Sequence, residues 1–133
     1  MKMISVLLVA ALTAFDLGCG YGSKAMTPAQ AGAIPNIVQL MPNSANSSNA
    51  AGPLTLTVNG ANFASNAVVN WNNTALTTMF VPGGNQLVAT VPGSALATPG
   101  MVQVSVTNPA VMGGIYGGGT LAETSNSMPF TIN

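Results

Sequence analysis

Charge is what this sequence has least of. Four of its 133 residues are charged at neutral pH, Lys2, Asp16, Lys24 and Glu123, and there is no Arg and no His. From Ala25 to Ala122 the chain carries no charge at all. Nucleic-acid binding depends on Lys and Arg neutralising phosphates and releasing counterions, so that partner is excluded. General acid–base catalysis needs a positioned titratable group, usually with a second one that tunes it. Glu123 stands alone in the body of the chain, which makes enzyme the least favoured class. Metal sites of the His, Cys or carboxylate type lack ligands, and no cofactor is called for. A single cysteine, Cys19, allows no intramolecular disulfide, so hydrophobic packing must hold the fold unaided.

Length sets one domain, and the first two dozen residues read as targeting rather than fold. Met1-Lys2-Met3 is a short positive start, and Ile4 to Phe15 follows without a charge. Twelve helical residues span ~18 Å against a hydrocarbon layer of ~30 Å, too short for a transmembrane anchor. The stretch fits the apolar region of a secretory signal peptide, with a buried N-terminal strand or helix as the alternative. Asp16-Leu17-Gly18-Cys19-Gly20 resembles a bacterial lipoprotein cleavage site, in which Cys19 becomes the lipidated first residue. The pattern wants Leu three positions before the cysteine; here Asp16 stands there and Leu17 is displaced by one. Ordinary cleavage nearby is the other reading of the same residues. The expected organisation is a signal peptide over 1–18, a flexible Gly/Ser/Thr/Ala/Pro tether over 19–33 and a folded domain over 34–133. Such a protein is exported and held by lipid on Cys19, facing the periplasm or exterior; without the lipid it is secreted.

The domain is written in period-2 alternation. Leu54, Leu56 and Val58 share one face of GPLTLTVNGANF, with Thr55, Thr57 and Asn59 on the other. The same pattern recurs in Ala67–Trp71, Gln86–Val91, Met101–Thr107 and Ser127–Asn133, and Pro35–Pro42, with a proline at each end, and Leu76–Val81 also read as strands. Turn residues separate the runs: the polar loop NSANSSNAA, then Pro82-Gly83-Gly84-Asn85, Pro92-Gly93, Thr98-Pro99-Gly100 and Asn108-Pro109. Ser94 to Ala97 is expected to form one helical turn. Pro129 points to an edge position for the last strand.

Four segments together resemble the IPT/TIG family of immunoglobulin-like domains. They are the opening strand Ile37 to Pro42, the strand Leu54 to Phe63 ending in a G-x-N-F turn, Leu87 to Pro92, and Met101 to Pro109 with its V-x-V-x-N-P close. The resemblance implies an all-β, antiparallel sandwich of about seven strands, of the E-set immunoglobulin type and here without a disulfide. It also implies a non-catalytic module that spaces or binds, as such domains do in bacterial surface proteins.

Three residues, in two places, compete for a role in binding. Trp71, the only tryptophan, reads as a core residue or as an exposed platform for a sugar ring. Between Asn108 and Ser127 lies a stretch longer than relatives carry, with five glycines around Ile115 and Tyr116. A loop of that length is expected to be a mobile hairpin tip or an apolar tip that docks on a partner. The glycines cannot cradle phosphate, because no Lys and no following helix support them. The scattered methionines read as core or surface filler. Asn46-Ser47-Ser48 and Asn72-Asn73-Thr74 match the glycosylation acceptor pattern, which is chance if the host is bacterial. Two functions follow: a spacer or protein-interaction module, or a carbohydrate-binding module that places a neutral glycan on Trp71 or Tyr116.

Overall fold

The computed structural model describes residues 28–115 and 117–133; the expected signal segment, Cys19 and Tyr116 lie outside the described residues. All seven expected strands form. They are β1 (Asn36–Met41), β3 (Leu54–Ala61), β4 (Val68–Trp71), β6 (Thr77–Val81), β7 (Gln86–Val91), β8 (Gly100–Asn108) and β12 (Met128–Ile132). Five short ones join them: β2 (Ser44–Ala45), β5 (Thr74–Ala75), β9 (Val111–Gly114), β10 (Gly117–Thr120) and β11 (Glu123–Thr124). One sheet has the order β1-β3-β7-β6 and the other β2-β12-β8-β4-β5, with β11 beside β8. This is the two-sheet strand order of an immunoglobulin sandwich. Pairing is antiparallel throughout both sheets except where β2 runs parallel to β12 at Thr131 and Ile132.

The alternating faces close on one core. Leu56, Val58, Val69, Leu87, Ala89, Val91, Val104, Val106 and Phe130 are fully buried, with contributions from both sheets. Each such Leu, Val or Phe contributes roughly 1.5–3 kcal/mol relative to leaving it exposed, which replaces the missing disulfide. Leu96 enters the same core from a single 3-10 turn over Gly93–Leu96, where one helical turn is expected. Phe63 returns inward after β3, as its place behind the G-x-N-F turn implies.

Two local features shape this frame. In β1 strict alternation would put Ile37, Gln39 and Met41 on one face. The register instead shifts between Ile37 and Gln39, so Val38 is extruded and Ile37 and Leu40 both point inward. At Gly60 a Cβ would sit 1.9 Å from the Asn36 carbonyl oxygen and 2.6 Å from the Phe63 ring. Only glycine lets β1 and the turn approach so closely.

Candidate functional site

The most exposed apolar groups gather on the long β8–β12 connection. Val111, Met112 and Ile115 lie on or at the turn of the β9–β10 hairpin, with Met112 90% and Ile115 86% exposed. The expected long loop is thus built as a hairpin, with Met112 opposite Gly119 and Gly114 opposite Gly117. Four of its five glycines, all but Gly114, are required by close contact or by backbone angle. A Cβ on Gly113 would fall 2.1 Å from the Gly117 carbonyl oxygen, and one on Gly119 would fall 2.0 Å from that of Val111. Gly117, Gly118 and Gly119 all take φ values near +90°, a region side chains avoid.

The hairpin's base is tied to the chain that precedes β1. Gln30 forms a parallel bridge with Thr120: its N–H donates to the Gly119 carbonyl at 3.1 Å, and its carbonyl accepts from Leu121 N–H at 2.8 Å. The Gln30–Ala33 part of the expected flexible tether is therefore bonded to the domain. Two asparagines complete the joint. Asn108, at 5% exposure, is the buried polar side chain of the core region. Its Oδ1 accepts from Ala64 N–H at 2.9 Å, and its Nδ2 donates to the carbonyls of Ala33 and Asn62, both at 2.8 Å. One side chain thus pins the end of β8, the corner after β3 and the lead-in to β1. Asn126 treats Ile37 as a neighbouring strand would, accepting from its N–H at 2.8 Å and donating to its carbonyl at 3.1 Å.

Trp71 lies elsewhere. It is 6% exposed, and its ring packs on Phe130 with centroids 4.9 Å apart at 57°. That is the core arrangement of an aromatic pair, and a ring so buried offers little face for a sugar to stack on. It also lines an open depression of about 390 Å³ bordered by Thr98, Pro99, Met101 and Ile132, with no ionisable side chain in the lining. Glu123 sits half-buried on β11 and does not border that depression. Among the described residues no cluster of three or more His, Cys, Asp or Glu is placed to hold a metal ion.

Of the residues singled out from sequence, Ile115 is at the exposed tip, Trp71 is in the core at a different place, and Tyr116 and Cys19 are not described. Sequence reasoning passed over Met112 and the two asparagines. A signal for Asn108 was present, since an amide two residues after Val106, in the inward register of Val104 and Val106, must find partners. Asn72 and Asn73, matched to a glycosylation pattern, both have positive φ and form the two-residue turn between β4 and β5.

A comparison with curated proteins finds no match to this chain. The family model described as IPT/TIG domain matches residues 35–124, more than half of the chain and every core strand except β12. With its two-sheet order, its Gly60–Phe63 turn and this match, the chain belongs to the IPT/TIG domain family.

Proposed function

We propose that this chain is an exported, non-catalytic cell-surface module that spaces or adheres, anchored by lipid on Cys19 and making contact through the β9–β10 hairpin. The division into a signal peptide over 1–18, a tether from 19 and a domain to 133 belongs to this reading. The observation that carries it is the exposure of Met112 and Ile115 on a hairpin that forms a two-stranded sheet separate from the two sheets of the sandwich. Apolar tips rimmed by uncharged polar surface mark interaction sites in otherwise soluble folds. Family membership supports the same class, since these domains are generic immunoglobulin-like modules found in adhesion and interaction proteins. The glycan alternative is less favoured at Trp71, which is buried in the core beside Phe130.

The test pairs Met112→Ser with Ile115→Ser. Both side chains face solvent, so stability should stay within ~0.5 kcal/mol, as for surface substitutions generally. Contacts captured on intact cells by a photo-crosslinker at Met112 should disappear when Ile115 is also replaced. A loss of several kcal/mol would place the tip in the fold and end the interaction reading. The anchor is tested separately by intact mass: a mature chain beginning at Cys19 must carry acyl mass.

A further inference from the structure

The bridge at Gln30 has a direction. β10 runs from the hairpin turn at Gly117 toward the base at Thr120, and Gln30 pairs with Thr120 in parallel. Pro28 and Ala29, the described residues before Gln30, therefore lie on the turn side of the bridge, and those following Gln30 run down beside Leu121 and Glu123. Gly32 confirms the path, since a Cβ there would sit 2.7 Å from the Leu121 carbonyl oxygen and 3.4 Å from the Glu123 side chain. The described chain thus begins, at Pro28, on the side of the bridge that faces the hairpin turn.

From this we infer that the β9–β10 tip is a membrane-facing element: Met112 and Ile115 seat in the interfacial layer of the bilayer in which the lipid on Cys19 is embedded. The inference rests on the anchored reading above and names the partner of the same hairpin. Cys19 precedes Gln30 by eleven residues. A chain of that length reaches at most ~36–40 Å at ~3.3–3.6 Å per residue. The four residues of β10 rise only ~13 Å, so anchor and tip meet one surface with slack to spare.

The chemistry of the tip agrees. No charge occurs between Ala25 and Ala122, so entering the interface desolvates no ion. The β9–β10 pairing already satisfies the backbone groups that face each other inside the hairpin, which lipid would otherwise leave unpaired. Attraction to anionic headgroups requires clustered Lys or Arg, and there is none. The surface recognised is accordingly a neutral lipid interface, through apolar contact alone.

The experiment uses the mature lipoprotein in phosphatidylcholine vesicles. Its Cys19 sulfur is blocked by lipid, so Ile115→Cys provides the one free thiol for an environment-sensitive fluorophore. The label at 115 should emit to the blue and be quenched by brominated acyl chains. The same label at Thr55→Cys, exposed at the far end of β3, should do neither. Adding Met112→Ser to the chain labelled at 115 should reduce both effects. Identical water-like behaviour at both positions would overturn the proposal and leave a protein as the tip's partner. A Cys19→Ser chain with hexahistidine ahead of residue 19, held on nickel-chelating vesicles, separates the two readings. A blue shift there without acylation of the wild type keeps the tip proposal and removes the natural anchor; no shift there removes the tip proposal itself.

Discussion

Replacing Asn108 by Ala is the sharpest test of how the fold holds its hairpin end together. The substitution removes three hydrogen bonds of 2.8–2.9 Å and leaves the Ala64 N–H and the Ala33 and Asn62 carbonyls without partners. A buried donor left unsatisfied costs ~1–3 kcal/mol, and carbonyls are tolerated better because they have a second lone pair. Asn62 is exposed and water can reach that corner, so the total should be about 2–4 kcal/mol rather than the sum of three full penalties. In a domain of this size each kcal/mol shifts Tm by ~4–8 °C, so a fall of about 10–30 °C is expected. The chain carries its own probe: Trp71 is the only tryptophan and is buried against Phe130, so its emission should shift to the red on unfolding in urea. Asn108→Asp is the matched control, because a carboxylate keeps the acceptor for Ala64 but turns an oxygen toward two carbonyls. That repulsion raises the folded-state pKa of the introduced carboxyl above its unfolded value. The native state then binds the proton more tightly, so stability rises as pH falls through the folded pKa. The deficit relative to wild type is present at neutral pH and should narrow on acidification. An Asn108→Ala loss below ~0.5 kcal/mol would refute the reasoning, because it would equal an ordinary surface change.

Gly60→Ala should destabilise by at least ~2–3 kcal/mol, because the new Cβ meets the Asn36 backbone at 1.9 Å rather than a flexible side chain. A neutral result in urea denaturation would show that β1 shifts freely. Reducing agent should leave Tm unchanged, since a single cysteine closes no bridge within the chain; a lowered Tm would mean that the protein melts as a disulfide-linked pair.

What was legible in the sequence was the part written in short-range alternation. Leu56 and Val58, Leu87 and Ala89, Val104 and Val106, Phe130 and Ile132 all point inward where period 2 places them. Less legible was whatever depends on residues far apart. The β1 bulge brings Leu40 inward against its own alternation, and it lies beside Ile37, whose backbone is bonded by Asn126 from 89 positions away. Asn108 is similar: its position after a strand is visible, but Ala33 and Asn62 become its partners only once two sheets and a turn have met. The strands of the hairpin and their pairing were hidden for a different reason. Glycine has no facial preference, so β10 shows no alternation, and Met112 resembles any scattered methionine until its opposite neighbour is known to be Gly119.

The scarcity of charge has a last consequence, at the edge of the four-stranded sheet. β6 is the outermost strand there, and the backbone groups on its free side form a template for another chain. Proteins usually guard such an edge with Lys, Pro or a bulge. Thr77–Val81 has neither Lys nor Pro within it, and Pro82 ends the strand without interrupting it. The Thr78 hydroxyl accepts from Val69 N–H at 3.0 Å and ties this edge to the opposite sheet near its start, leaving Met79 67% exposed beyond it. With a formal net charge of zero, the molecule also lacks the long-range repulsion that keeps domains apart. Met79→Lys adds one charge at the guard position and removes an exposed apolar group. It should leave stability within ~0.5 kcal/mol, because Met79 packs little of its surface. Concentration-dependent association, followed by light scattering, should fall and should partly return at high salt as the charge is screened. Equal association of variant and wild type would show that the molecules meet elsewhere, with the hairpin tip the next surface to substitute.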